Sequence, residues 1–393
     1  MSLPLVRVAA VAALAALTPG VYTVGSPRAA AADESPDAYW VYLGTYTGQQ
    51  EGDSKGIYRS KMDARTGKLS EPELAAEMGS PSFLAVHPNG KFLYAVGEGG
   101  GKDGGPVVAF ALDAKTGALT KLNEELSGGP GPCHVSVSPT GKAAVVANYG
   151  GGSCAFFKLG EDGKIVQKTH FCQHKGSSVN PGRQKEPHAH CGFFDPTGQF
   201  ALVADLGIDR VKVFRFDPKT GGVTNGEGED VKTPPGSGPR HIAIAPDGKF
   251  AYVCGELDST VNVVKLDLPG GKNEVVQSLS TLPMPVEGNS TAECILHPSG
   301  NFVYVSNRGH NSVAVFTVGP DRKLTAAGHV TGDIKTPRNF NVDPSGKWML
   351  IASQDGGKVG VWELDPRTGL GKETGTTAKV SRCVCVKFVP VGK

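Results

Sequence analysis

The chain has 393 residues, 39% hydrophobic and 20% charged, with a formal net charge of +2. That apolar content supports an ordinary packed core, while scattered Lys and Arg, with no basic stripe and no interleaved aromatics, exclude nucleic acid as the expected partner. The 54 Gly and 28 Pro demand many tight turns, which favours an all-β chain whose repeats absorb a length otherwise suggestive of two domains.

The first 32 residues read as an export signal: Arg7 precedes an apolar run over 8–17, and small residues from Ala29 to Ala32 offer cleavage sites. Residues 33–38 form a linker, and one domain is expected over 39–390. The expected location is periplasmic or secreted; a cytoplasmic protein with an Ala-rich tail is the alternative. No stretch reaches the ~20 apolar residues that a spanning helix needs, so the mature chain is not expected to insert in a membrane.

The first strands are predicted at 40–46, 56–61 and 69–78, around the turn Asp63-Ala64-Arg65-Thr66-Gly67. From there a second turn recurs: His87-Pro88-Asn89-Gly90, Ser138-Pro139-Thr140-Gly141, Asp195-Pro196-Thr197-Gly198, Ala245-Pro246-Asp247-Gly248, His297-Pro298-Ser299-Gly300 and Asp343-Pro344-Ser345-Gly346. Successive prolines stand 51, 57, 50, 52 and 46 residues apart, the length of a four-stranded propeller blade. Each Pro presets φ and each Gly takes a left-handed position, so the motif is a hairpin turn between a blade's first two strands. The outer turn near Asp63 recurs at Asp113, Asp217 and Asp365, and in looser form near Asp162, Pro269 and Asp321. Seven outer turns against six inner ones leave the segment from Cys383 to Phe388 as a first strand with no successor. It is predicted to join the N-terminal strands in one blade, closing a seven-bladed β-propeller without a long free inner edge.

A blade's first two strands are antiparallel, so the start of one and the end of the other lie at the same mouth of the channel. Five or six residues before the turn prolines stand Phe83, Cys133 with His134, His190, Arg240 with His241, Glu293, and Arg338 with Asn339; ten residues after them stand Glu98, Tyr149, Leu206, Glu256, Arg308 and Gln354. Strands normally spend such sites on core residues. His190, Arg240, Glu256, Glu293 and Arg308 are therefore expected around one cavity suited to an anionic ligand. Arg can stabilise an oxyanion while His or Glu takes a proton from water. Salt bridges holding the rim together, such as Arg240 with Glu256, are the structural alternative.

Other chemistry is weaker. His188 and His190 are expected on one side of a strand and could begin a metal site with Glu256 or Glu293, but no acidic cluster of the calcium type stands near them. The runs at Gly99 and Gly150 lack the Lys-Ser/Thr and helix of a phosphate loop, and no nucleophile elbow is present. The eight Cys form no CxxC pair. Cys154 and Cys172 flank the turn at Asp162 almost equally and are candidates to face each other across a hairpin, with a disulfide as one outcome.

Gly131-Pro132-Cys133-His134, Asn148-Tyr149-Gly150-Gly151-Gly152, Glu186-Pro187-His188-Ala189-His190, Ala204-Asp205-Leu206-Gly207, Gly238-Pro239-Arg240-His241, Thr291-Ala292-Glu293 and Ser306-Asn307-Arg308-Gly309-His310 together resemble the seven-bladed propeller lactonases typified by 6-phosphogluconolactonase, over about 39–388. The resemblance implies hydrolysis of a sugar lactone with no metal or other cofactor. By motif, the His, two Arg and Glu proposed for the related muconate lactonising enzymes map onto His190, Arg240, Glu256 and Arg308 as catalytic residues, with Arg338 competing for the last place. His134, His188, His241, Glu293 and Arg338 are the expected substrate-binding residues. An export signal is a departure from the cytoplasmic sugar-phosphate members and opens the way to another lactone. Two other functions remain open: an exported propeller that only binds, since fold does not fix function, and a cycloisomerase running the reaction toward the lactone.

Overall fold

Seven antiparallel sheets follow one another around a channel, in a computed structural model that describes Met1 and residues 36–392 other than 218, 220 and 225–229. Apart from Met1, the predicted leader lies outside the described residues. Six sheets each take their strands in chain order. The seventh has the order Cys383–Pro390, Ala38–Thr45, Gly56–Asp63, Glu73–Glu77, so the C-terminal strand is the innermost of a blade otherwise built from the N-terminus. The propeller and its closure are as the turn count predicts.

One blade departs from the four-strand pattern. Beyond Arg210–Phe216 the described residues of the outer edge include Val223–Thr224 and Val231–Lys232, each paired with that same strand.

The inner turns close on themselves. Asp195 accepts from the backbone N–H groups of Thr197, Gln199 and Phe200, and Asp343 does the same for Ser345 and Trp348. Where His replaces Asp, the turn also reaches the next blade. Nδ1 of His87 accepts from Asn89 N–H, which leaves Nε2–H to donate to Gly141 O at 2.9 Å; His297 repeats this with Ser299 and Gly346 O. Gly141 and Gly346 have positive φ, and a Cβ on either would overlap the His ring, so glycine is required twice over.

A second stitch runs through tyrosines. Tyr42, Tyr94 and Tyr304 are fully buried, and each donates its hydroxyl to the outer-turn glycine of the following blade, at Gly117 O, Gly163 O and Gly369 O. The apolar core is accordingly a ring of clusters between neighbouring sheets, such as Phe302, Tyr304, Phe340, Met349 and Trp362. Every blade buries its faces only against its neighbours, so an open ring would expose two of them to water.

Candidate active site

The mouth is built by a defect repeated around the ring. The innermost strand of each blade carries one extra residue near its mouth end: the register shifts between Pro81 and Phe83, Pro132 and His134, Ala189 and Cys191, Pro239 and Ile242, Thr291 and Cys294, Pro337 and Asn339, and at Val384 in the closing blade. Such a bulge re-aims the side chains beside it. Four of these strands begin at Pro, which brings no N–H to the ladder, and Ser80, Gly131, Gly238 and Thr336 before those prolines are in the left-handed region. For Ser80 and Thr336 that conformation costs roughly 1–3 kcal/mol. It is held by hydrogen bonds that their N–H groups donate to Thr47 Oγ1 and Asn311 Oδ1.

The bulges place Ser82, Cys133, His190, Arg240, Arg338 and Val384 around the floor of the mouth, together with His241 and Asn339. Above that floor lies a cavity of about 300 Å³ lined by Tyr149, Arg183, His190, Glu256, Arg308 and Arg338, with Glu98 at its side.

Glu256 is the hub. Its buried carboxylate accepts from Arg240 Nε at 2.7 Å and Arg183 Nη2 at 2.9 Å, and forms an ion pair with Arg308 Nη2 at 3.2 Å. Burial alone would raise this carboxyl, but the attraction of Arg308, Arg240 and Arg183 outweighs it and brings the pKa down to about 2. Glu256 is thus ionised at neutrality and serves as an anchor for guanidinium groups, so it has no proton to give as an acid. Arg240 is further fixed by Nη1 to Ala292 O at 2.6 Å, and Arg308 by Nη2 to Thr291 O at 2.9 Å. Burial and the nearby Arg240 pull Arg308 down to about 10 against the pull of Glu256. Its Nε is buried and has no hydrogen-bond partner among the described residues.

His190 is buried, with Tyr149 edge-on at 5.3 Å and Cys133 Sγ 3.8 Å from Nδ1. Burial, reinforced by repulsion from Arg240, His241 and Arg338, holds its pKa well below the usual imidazole value. It is therefore neutral and able to accept a proton. Arg338 lies over the Tyr46 ring at 5.4 Å, and the Tyr46 hydroxyl donates to Glu98 at 2.9 Å. Four guanidinium groups against the two carboxyl groups of Glu98 and Glu256 leave the mouth with surplus positive charge.

Of the predicted residues, His190, Arg240, Glu256, Arg308 and Arg338 converge on the mouth, and His241 lies on its floor. Glu293 sits behind His241, accepting from its Nδ1 at 2.7 Å and from Asn339 Nδ2. Burial would raise the Glu293 carboxyl, but the bonded His241 and the nearby Lys387 outweigh it and hold it low, while burial lowers His241 against the pull of Glu293. His134 is buried with its ring tilted against Phe83 at 4.1 Å, and it lines neither cavity. His188 also lies outside. It precedes the strand Ala189–Phe194, stacks on Tyr149 at 4.6 Å and bonds Tyr149 O through Nδ1. The expected shared strand face for His188 and His190 does not form, because His190 is the bulge residue. Among the described residues no three His, Cys, Asp or Glu side chains are grouped to hold a metal.

The sequence reading missed Arg183. It rides on a loop fixed by the buried Gln184, whose Nε2 donates to Leu206 O and whose Oε1 accepts from Asn180 N–H. Arg183 bonds both Tyr149 Oη and Glu256 from that loop. The one available signal was the 57-residue step between Pro139 and Pro196, the longest in the series, which places extra chain at the mouth.

Fold and site together define a class: a propeller whose channel mouth gathers arginine side chains beside a buried imidazole. A family model described as "Lactonase, 7-bladed beta-propeller" matches residues 40–388, and the chain belongs to this family of lactone-hydrolysing enzymes. It is 36% identical over 353 residues, 89% of this chain and 98% of the relative, to a 6-phosphogluconolactonase of Bacillus subtilis. A putative 6-phosphogluconolactonase of Bacteroides fragilis superposes with a TM-score of 0.82 at 35% identity, covering 90% of this chain and 98% of that one. The periplasmic gluconolactonase PpgL of Pseudomonas aeruginosa superposes with a TM-score of 0.84 at 30% identity, covering 90% and 100%.

Proposed function

We propose that the substrate is an anionic sugar lactone of the 6-phosphogluconolactone type, opened by direct attack of water. The observation that carries this reading is the surplus of guanidinium groups around Glu256 beside a neutral, buried His190. Water held at the mouth adds to the lactone carbonyl as His190 takes its proton. Arg240, fixed by Glu256 and Ala292 O, faces the developing oxyanion, where a preorganised donor is worth more than one in water. The proton then passes from His190 to the ring oxygen as the C–O bond breaks, giving the free hydroxy acid. Arg308, Arg338 and Arg183 hold the substrate's anionic group, and Glu256 keeps the arginines in place without exchanging protons.

The sequence pattern over 8–17 and 29–32, together with the similarity to a periplasmic gluconolactonase, supports export of the mature enzyme. Intact mass of protein recovered from outside the cytoplasm tests this: a mature N-terminus near residue 33 is expected, and a full-length cytoplasmic chain refutes it.

A panel of phosphorylated and unphosphorylated sugar lactones, assayed with EDTA present, tests the substrate. The expected result is a higher kcat/KM for the phosphorylated member. Equal constants for both refute the anion-holding role of the mouth, and complete loss of turnover with EDTA refutes the metal-free route.

A further inference from the structure

The blade next to the mouth holds a second reactive constellation that lactone hydrolysis does not use. Cys154 in Ser153–Leu159 stands directly opposite Cys172 in Ile165–Gln173, and the two thiols are hydrogen-bonded to each other. His174 N–H donates to Gly152 O, so Gly152 with His174 and, two residues along, Cys154 with Cys172 are hydrogen-bonded strand pairs. Such pairs have Cα atoms about 5.5 Å apart, inside the window of roughly 4.4–6.8 Å that a disulfide spans.

A base is aimed at the pair. His174 Nδ1 bonds the Asp205 carboxylate at 2.6 Å with both side chains fully buried, and its Nε2 stands 3.6 Å from Cys154 Sγ. With Nδ1–H given to Asp205, Nε2 turns its lone pair to the Cys154 thiol, which burial and Cys172 hold well above the usual thiol range, so that thiol needs a proton acceptor beside it to react. Access is asymmetric. Cys172 is half-buried, while the other seven cysteines, Cys154 among them, are buried.

We propose that Cys154 and Cys172 are a redox-active dithiol, closed to a disulfide by a small-molecule disulfide oxidant, with His174 as proton acceptor for Cys154. Cys172 sulfur attacks the oxidant RSSR, forming Cys172–S–SR and releasing one RSH. Cys154 then loses its proton to His174 and attacks the Cys172 sulfur; the S–SR bond breaks, and RS⁻ leaves and collects the proton from His174. Two electrons pass from the two cysteines to RSSR, giving one protein disulfide and two RSH. Asp205 also accepts from His188 N–H at 2.7 Å and Gly207 N–H at 3.0 Å, which ties the dithiol to the segment that packs on Tyr149 at the mouth.

The test exposes the native full chain to oxidised glutathione, quenches with acid and counts thiols after denaturation, with peptide mapping. The expected result is loss of two of the eight thiols and one linked peptide pair containing Cys154 and Cys172. Cys154→Ser should stop at a glutathione adduct on Cys172, and Cys172→Ser should keep all its thiols. His174→Asn, whose amide can still donate to Asp205, should slow closure by ~10-fold or more at an unchanged end point. Eight thiols surviving in the parent, or a parent that stops at the Cys172 adduct, overturns the proposal. A closure rate unchanged in His174→Asn overturns the role of that residue.

Discussion

The first two strands of a blade end in two different kinds of chemistry. At the turn end the same few bonds recur: Asp195 and Asp343 cap their own turns, and His87 and His297 reach the glycine carbonyl of the next blade. At the mouth end the bulge positions hold Ser82, Cys133, His190, Arg240, Arg338 and Val384, and only the two arginines are alike. The turn end needs the same answer in every blade because each blade packs on its neighbour in the same way. The mouth end is free to differ because bulged positions leave the ladder and face the channel. Repetition therefore carries stability, and divergence carries chemistry.

The largest expected effect breaks the repeating half outright. Removing residues 381–393 takes away the innermost strand of the closing blade, including buried Cys383, Val384, Cys385, Val386 and Val389. No cooperative melt is expected by calorimetry. A transition within a few degrees of the parent would show that ring closure is not needed.

At the mouth, His190→Asn is expected to lower kcat by ~10²-fold or more, the scale of losing a general base, with the melt unchanged. Parent-like kinetics would move the proton acceptor elsewhere. The arginines divide the site further. Arg240→Lys cannot hold both Glu256 and Ala292 O in one plane, so kcat and kcat/KM should fall together; Arg308→Lys should mainly raise KM. If both variants changed only KM, the oxyanion role of Arg240 would fail.

The pH profile follows from the same groups. Neutral His190 is the active form and its pKa is depressed, so kcat/KM should be flat through neutrality and fall only well below pH 6.5. Above pH about 10, Arg308 loses its proton and KM should rise. An acid limb centred at or above pH 6.5 would contradict the buried, cation-flanked imidazole.

The smallest effect returns to the repeating half. Tyr304→Phe deletes the hydroxyl bond to Gly369 O and leaves that carbonyl buried, at a cost of about 1 kcal/mol or slightly more in denaturant unfolding, with kcat and KM unchanged. A change in kinetics would mean that strain travels along the blade from one end to the other.

By itself, the sequence determined the repeat, the blade count and the closing strand, because Pro and Gly at fixed spacing encode turns through their own backbone limits. It also indicated the mouth positions, since polar residues stood where strand core was due. Which neighbour points inward was left to the bulges: simple alternation would choose between Arg240 and His241, or between Arg338 and Asn339, whereas the extra residue brings both members of each pair to the channel. The same register shift separated His188 from His190. The role of Glu256 likewise rests on three guanidinium groups from Arg183, Arg240 and Arg308, spread over more than a hundred residues of chain. Local sequence encodes turns because a turn is a local object; the charge state of a buried carboxylate belongs to whatever the fold packs around it.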